Sequence, residues 1–175
     1  MSQLAYRDEL TGVLNRRSFL LQAGKQWRRG GSDGLNACVL MLDLDHFKQL
    51  NDLHGHDAGD RALMRFATLV ESLKREQDIF GRIGGEEFAL FLPSTTRAQA
   101  QSMADRIVAE CRSLSIGAEG FGEMSVSAGI AETSGEDANL AATMVRADRA
   151  LYYAKTTGRG RSAMAGEEDS ELTKV

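Results

Sequence analysis

The sequence predicts an α/β protein of the α+β type, in which helices flank a mixed β-sheet built on a split βαβ plan. Segments with helical and strand periodicity alternate along the 175 residues, without an internal repeat. Residues 37–44 form a nearly continuous apolar run, which is typical of a strand covered on both faces. Two further apolar runs are joined by Gly84-Gly85, which indicates a β-hairpin.

The predicted elements follow in the order helix, strand, helix, helix, hairpin, helix, strand, helix. The first helix should end at Gly30-Gly31, and the last should stop at Gly158, since glycine favours the position just past a helix end. Thr95 or Thr96 suits the N-cap of the helix that follows the hairpin. The predicted helices cover residues 16–29, 46–53, 96–112 and 140–156, and a further long helix starts at about residue 57. The predicted strands cover residues 37–44, 79–83, 87–92 and 124–131.

Length and composition fit one globular domain with a single core. Hydrophobic residues make up 42% of the chain and charged residues 26%, which is ordinary for such a domain. The net charge of −4 excludes a chain built to coat nucleic acid, so a bound nucleotide must be held by local cations and metal. We expect the domain to occupy residues 1–165, followed by an acidic, flexible tail at 166–175.

Cysteine usage and hydropathy predict a cytoplasmic setting. Cys38 lies in an apolar run and Cys111 near the end of a helical pattern, so we expect two reduced thiols in or near the core. No apolar stretch approaches the roughly 20 residues that span a bilayer, and no signal peptide opens the chain. We therefore expect no membrane contact by this segment, and any anchor of the full-length protein should lie outside it.

Carboxylates end the buried strand and occupy the hairpin turn. Asp43 and Asp45 share one face of the strand by alternation, and Glu86 and Glu87 follow the turn glycines. Because the central strand and the hairpin lie side by side in a split βαβ sheet, these acids should gather at one edge. Such a cluster beside a glycine turn suits Mg²⁺ and a polyphosphate. Taken alone, Asp45 is better explained as a helix cap or an exposed charge.

The motifs around these acids resemble those of GGDEF-domain diguanylate cyclases. The hairpin turn reads RIGGEEF at residues 82–88. Four more motifs match in the family's order: DELTGVLNRR at 8–17, DLDHFKQLND at 43–52, GHDAGD at 55–60 and KTTGR at 155–159. Five ordered motifs with matching spacing rarely arise by chance, and they cover nearly the whole chain. The departure is Glu86, where Asp is commoner, although active members also accept Glu.

The resemblance implies a palm-like, nucleotidyl-cyclase fold and the condensation of two GTP molecules into cyclic di-GMP and two pyrophosphates. It implies Mg²⁺, with Mn²⁺ as an alternative, and a homodimer, because each domain holds one GTP. No nucleic acid polymer is expected as a partner. The alternatives are a catalytically silent module that binds cyclic di-GMP and a purely structural dimerisation domain.

By position, the resemblance also assigns the catalytic centre. Asp43 and Glu86 would ligate the metals, helped by the backbone carbonyl of Leu44. Glu87 would either activate the attacking 3′-hydroxyl or hold the second metal, and these two roles stay open. The implied catalytic residues are Glu87, Lys48 and Arg82.

The substrate-binding residues are assigned in the same way. Lys48, Lys155 and Arg159 would hold the β- and γ-phosphates, whereas Asn51 and Asp60 would read the guanine edge. Each has an ordinary alternative: Asp60 suits a helix N-terminus, the Lys155 and Arg159 cations suit a helix C-terminus, and Asn51 suits a turn. The implied substrate-binding set is Asn51, Asp60, Lys155, Arg159 and Leu10.

A second site is implied by the REQD segment at residues 75–78, which resembles the family's RxxD inhibitory motif for a cyclic di-GMP dimer. Arginine matches phosphate and guanine edges, and aspartate accepts hydrogen bonds from guanine. Arg75 and Asp78 would form the motif, with Arg106 from the next helix and Arg29 from the first helix of the same or another subunit. Arg106 and Arg29 could equally be solvated helix residues.

Overall fold

The structure is a computed structural model that describes residues 5–33, 36–114 and 122–172. Within these ranges, five strands form one mixed sheet flanked by helices, which confirms the predicted fold class. The elements are, in chain order, α1 (Arg16–Asp33), β1 (Cys38–Leu44), α2 (Phe47–His54), α3 (His56–Leu73), β2 (Ile79–Arg82), β3 (Glu87–Leu92), α4 (Arg97–Arg112), β4 (Val126–Glu132), α5 (Leu140–Thr156), β5 (Ser162–Met164) and α6 (Glu167–Leu172).

The sheet has the order β2-β3-β1-β4-β5, with β1 in the middle. β1 runs antiparallel to both β3 and β4, β2 and β3 form the predicted hairpin, and β5 is parallel to β4. The register sets Asp43 opposite Glu87 on one side and Ser127 on the other. The predicted adjacency of the central strand and the hairpin is therefore confirmed.

Helices cover both faces of β1, which explains its continuous apolar sequence. All seven of its residues are buried. The core cluster on one face includes Leu40, Leu42, Phe66 of α3 and Ile107 of α4. The cluster on the other face includes Val39, Met41, Phe19 of α1 and Leu151 of α5. Cys38 and Cys111 are buried free thiols, as predicted, and burial raises the pKa of each to about 12.

Helix α5 lies unusually close to β4. A Cβ atom at Gly129 would lie 2.0 Å from the carbonyl oxygen of Ala147 and 2.3 Å from the amide nitrogen of Leu151. Only glycine therefore permits this approach. Since α5 ends at Thr156, the same packing brings Lys155, in its last turn, to the end of β1.

Helix α1 is longer than predicted. It continues through Gly30 and Gly31 to Asp33, so the prediction that the glycines end it is wrong. A helical glycine costs only about 1 kcal/mol relative to alanine, and tertiary packing can offset that. The preceding turn is anchored by Trp27, which packs on the core and donates from its Nε1 atom to the Thr143 hydroxyl at 3.1 Å.

The chain after α5 also differs from prediction. β5 was not anticipated, because its three residues give no periodicity and it forms only by pairing with β4. Helix α6 lies within the segment predicted to be an acidic, flexible tail, and its acidic first turn favours a helix N-terminus. The flexibility of this tail stays a prediction. No helix in the described part of the chain is both long and apolar enough to cross a membrane.

Candidate active site

The end of β1 meets the turn between β2 and β3. Asp43 stands opposite Glu87 in the strand register, and the amide of Leu44 donates to the Glu86 carbonyl at 3.3 Å. Asp43 is buried, whereas Glu86 and Glu87 are half-buried. Three of the four acids singled out in the sequence are thus brought to one edge of the sheet, together with the Leu44 backbone.

Asp43 is a buried carboxylate whose charge is only partly compensated. The Lys155 ammonium lies 2.8 Å from its Oδ1 atom and forms an ion pair with it. Burial raises the pKa of Asp43 to about 6, and Lys155 opposes the rise. The negative charges of Glu86 and Glu87 raise that pKa further. A buried carboxylate beside two further negative charges is costly, and a cation in addition to Lys155 would stabilise it.

These residues fit a divalent cation of the magnesium type. Within the described ranges, no three His, Cys, Asp or Glu side chains already converge as a metal cage. Mg²⁺ commonly uses only one or two carboxylates and takes its remaining oxygens from water and substrate phosphates. Asp43, Glu86 and the Leu44 carbonyl match that pattern, because they supply two carboxylates and one backbone oxygen at one place.

Arg82 shapes the turn that holds Glu86. Its guanidinium donates to the carbonyls of Gly84 and Gly85, the latter at 2.7 Å, and pairs with Asp8 at 3.1 Å. Burial acts to raise the pKa of Asp8, but hydrogen bonds from Thr11 and Arg82 outweigh it and lower that pKa. These contacts give Arg82 a structural role, and its direct part in catalysis stays a prediction. The partner Asp8 lies in the opening motif but was not singled out from the sequence.

The predicted guanine-reading residues lie side by side. The Asn51 side-chain oxygen is buried without a hydrogen-bond partner, and a Cβ atom at Gly59 would lie 1.9 Å from it. Gly59 therefore lets α3 contact α2, and the next residue, Asp60, is exposed beside this contact. Leu10 is partly buried and packs against the core cluster that contains Leu40 and Phe66, and Lys48 is exposed in the first turn of α2. An unpartnered amide oxygen is suited to accept from a ligand N–H.

Lys155 and Arg159 flank the turn that follows α5. Lys155 contacts Asp43, and Arg159 donates weakly from its Nη1 atom to the Lys155 carbonyl at 3.4 Å. The Arg159 backbone is left-handed, with φ of 61°, and its amide donates to Ala154 at 3.0 Å. The structure thus brings two of the three predicted phosphate-binding cations to the carboxyl end of α5, with Lys155 at the acidic edge, whereas Lys48 lies on α2.

Asp45 does not join the other three acids. It is neither a helix cap nor an exposed charge, because its half-buried carboxylate accepts hydrogen bonds from Ser125, Ser127 and the Gly160 amide. Both of its oxygens are occupied, so the predicted four-acid cluster is reduced to three. Ser125 and Ser127 lie about 80 residues away in sequence, and no local pattern signals this contact.

The RxxD residues come together but bind each other. The Asp78 side chain is fully buried and accepts from the Arg75 amide at 2.8 Å and from its guanidinium at 2.8 Å. Arg75 also donates to the carbonyl of Pro93 at 2.9 Å and to the hydroxyl of Thr95 at 2.7 Å. In this structure the two residues of the motif are therefore bonded to each other, and Arg75 covers the Asp78 carboxylate.

The two supporting arginines occupy different surroundings. Arg29 lines an open cleft of about 480 Å³ that also reaches Asp78. Arg106 pairs with Glu110 on its own helix at 3.0 Å and is largely exposed. One turn earlier on α4, Met103 shares a pocket with Arg75, so Arg106 lies on the same side of the molecule.

Comparison with known proteins places this arrangement in a family. Residues 5–161 match the family model described as diguanylate cyclase, GGDEF domain. The chain is 37% identical over 163 residues to the diguanylate cyclase DgcM of Escherichia coli (strain K12), which covers 92% of this chain but only 38% of DgcM.

Solved structures agree in both fold and sequence. The GGDEF domain of DgcB from Caulobacter crescentus, in complex with c-di-GMP, matches with a TM-score of 0.89 and 31% identity over 93% of this chain and 94% of that one. The active GGEEF domain of a diguanylate cyclase from Vibrio cholerae, with the same turn sequence as residues 84–88, matches with a TM-score of 0.83 and 29% identity over 87% and 97%. The chain therefore belongs to the GGDEF-domain family of diguanylate cyclases.

Proposed function

We propose that this chain condenses two GTP molecules into cyclic di-GMP and releases two pyrophosphates. The observation that supports this most directly is the buried Asp43 carboxylate, whose pKa stays raised beside Glu86 and Glu87 despite its ion pair with Lys155. An edge with this excess of negative charge suits a divalent cation and the triphosphate that such a cation accompanies.

Asp43, Glu86 and the Leu44 carbonyl would hold Mg²⁺ or Mn²⁺. The ion supplies neutralisation of charge on the phosphates and a lower pKa for the attacking hydroxyl. Glu87 lies opposite Asp43 in the sheet, where it can accept the 3′-hydroxyl proton or complete the cation site. In each step a bond forms from the 3′-oxygen to the α-phosphorus, and the bond to pyrophosphate breaks.

The remaining predicted residues orient the substrate. Lys48, Lys155 and Arg159 would bind the β- and γ-phosphates, and the last two already flank one turn at the acidic edge. Asn51 and Asp60 would accept hydrogen bonds from guanine, which favours GTP over ATP. Leu10 would border the base from the opening segment.

Two domains must cooperate, because the product joins two nucleotides and each domain provides one site. We therefore propose a homodimer as the active species. The chain spans 38% of the length of DgcM. The activity of any longer protein and its cytoplasmic location are therefore proposals as well. The buried free thiols agree with a reducing compartment.

Product inhibition at the RxxD motif is the second part of the proposal. Cyclic di-GMP would bind Arg75 and Asp78, with help from Arg106 and Arg29, and hold two domains with their active sites apart. The complex of the related DgcB domain with c-di-GMP supports the ligand class. Because Asp78 is covered by Arg75, the guanidinium must move before guanine can reach the carboxylate.

The proposed function is tested by incubating the protein with GTP and Mg²⁺ and separating the products by chromatography. We expect cyclic di-GMP and pyrophosphate in a ratio of one to two, no product with ATP, and no product after chelation of the metal. Binding of cyclic di-GMP without any turnover of GTP would instead identify a silent binding module. If the protein neither turned over GTP nor bound cyclic di-GMP, only a structural role would remain.

A further inference from the structure

Asp45 has a contact pattern that the proposed chemistry does not use. Its Oδ2 atom accepts from the Ser125 hydroxyl at 2.6 Å and from the Gly160 amide at 2.9 Å. Its Oδ1 atom accepts from the Ser127 hydroxyl at 2.7 Å, and that hydroxyl also lies 3.1 Å from the Gly160 amide. A carboxylate with both oxygens bonded in this way is available neither as a metal ligand nor as a base.

The group that Asp45 holds is the turn at residues 158–160, which bears Arg159. Arg159 adopts a φ of 61°, in the left-handed region that non-glycine residues rarely occupy. Such a conformation persists only where surrounding contacts determine it. The Gly160 amide, immediately after Arg159, is the point at which Asp45 attaches.

The turn has further contacts, among them a hydrogen bond from the Arg159 amide to the Ala154 carbonyl of α5 at 3.0 Å. The Arg112 guanidinium, at the end of α4, donates to the Gly160 carbonyl. The Arg159 side chain donates to the Lys155 carbonyl over a long distance of 3.4 Å. The carboxylate is therefore the charged acceptor that fixes the amide side of the Gly160 peptide, and charge-assisted hydrogen bonds are the stronger kind.

We propose that Asp45 is a positioning residue for triphosphate binding: by holding the Gly160 amide against β4, it keeps Arg159 directed towards the β- and γ-phosphates. This inference rests on the proposed GTP site. It explains why an acid directly after β1, two residues beyond Asp43, is turned away from the other acids. It also links the strand that bears the metal ligands to the turn that bears the phosphate ligand.

The test compares two guanine nucleotides in the presence of Mg²⁺. One is a GTP analogue with a methylene group between the α- and β-phosphorus atoms, which cannot release pyrophosphate, and the other is GMP. Arg159→Ala should weaken binding of the analogue about tenfold, as expected for one charged hydrogen-bonding partner. Asp45→Ala should weaken it to a similar extent, while GMP affinity changes by less than about twofold in both variants.

A double variant separates positioning from general damage. If Asp45 acts through Arg159, then Asp45→Ala combined with Arg159→Ala should bind the analogue no more weakly than Arg159→Ala alone. Ser127→Ala removes one donor to Asp45 with little change in volume, and it should show the same triphosphate-specific loss to a smaller degree. This variant keeps the inference testable if Asp45→Ala does not fold.

Asp137→Ala is the matched control. Asp137 also ties a loop together, through Arg146 and Thr143, but it follows the opposite end of β4. Its loss should leave the preference for the analogue over GMP unchanged. The inference is overturned if Asp45→Ala and Ser127→Ala keep the wild-type preference, if they weaken GMP equally, or if the double variant shows additive losses. If the wild-type protein itself does not prefer the analogue, the proposed phosphate site fails as well.

Discussion

Asp43 and Asp78 are both buried carboxylates that contact a basic side chain, yet they differ in how fully they are bonded. Asp43 pairs with Lys155 at 2.8 Å and lies beside the negative charges of Glu86 and Glu87. Asp78 accepts from the amide, Nε and Nη2 atoms of Arg75 at 2.8, 3.1 and 2.8 Å. The first arrangement favours an added cation, whereas the second is already complete and must open before it can bind anything.

This difference separates two kinds of functional site within one small domain. The edge at Asp43 is preorganised, because its acids are held by the strand register and by the turn that Arg82 supports. A ligand can bind the Arg75 motif only by replacing the contacts that Arg75 makes with Asp78, Pro93 and Thr95. We expect substitutions in the two regions to affect different measurements.

The largest expected effect is loss of catalysis at the acidic edge. Asp43→Ala and Glu86→Ala should each reduce cyclic di-GMP formation at least about a hundredfold, because each removes a carboxylate proposed to hold the metal. The measurement is product formation from GTP by variants whose circular dichroism matches the wild type. Asp78→Asn is the matched buried-carboxylate control and should retain the initial rate. Near wild-type turnover in either alanine variant contradicts the metal assignment.

The next effect concerns regulation. Arg75→Ala should weaken cyclic di-GMP binding by at least ~2 kcal/mol, hence more than about tenfold, because a charged bidentate partner is lost. Initial rates should stay close to wild type, and inhibition by added product should be relieved. Calorimetric titration and initial rates measure these quantities, with Arg149→Ala, an exposed arginine on α5, as the control. Unchanged affinity or unchanged inhibition would show that the motif has only a structural role.

A smaller effect is expected on base selectivity. Asp60→Ala should reduce discrimination between GTP and ATP by ~1–3 kcal/mol, because one guanine-accepting group is lost from the site. Competition binding of the two nucleotides measures this ratio. The control is Asp57→Ala, because Asp57 lies one turn earlier on α3 and is also exposed. This variant should leave the ratio of the two affinities unchanged. The guanine assignment fails if Asp60→Ala discriminates as well as the wild type.

The smallest effect tests the comparison of the two carboxylates directly. Without metal, Asp43→Asn should change the free energy of unfolding by less than about 1 kcal/mol, because relief of charge burial offsets the lost ion pair. Asp78→Asn should lower it by at least about 1 kcal/mol, since a charged, fully bonded acceptor is weakened. Urea denaturation of both variants measures these values. A larger loss for Asp43→Asn would mean that Asp43 is stabilising and not poised for a cation.

Much of this architecture could be predicted because its signals are local. The apolar run of β1, the Gly84-Gly85 hairpin and the helix that ends at Thr156 each appear in a short stretch of sequence. The adjacency of Asp43 and the hairpin followed from the order of the elements, and the structure confirms it.

The features that sequence reasoning missed depend on contacts between distant segments. Asp45 meets Ser125 and Ser127 only after β1 and β4 pair, and Arg75 meets Thr95 only after β3 is in place. β5 has no pattern of its own, and its pairing with β4 alone makes it a strand. Such contacts involve residue types that occur on any surface, so spacing along the chain does not reveal them.

Trp27, the one tryptophan of the sequence, makes this domain suitable for spectroscopy. Its indole packs against the core and donates to Thr143 on α5, and Thr143 in turn donates to Asp137. Its fluorescence should therefore report the docking of α1 on α5 without interference from another indole.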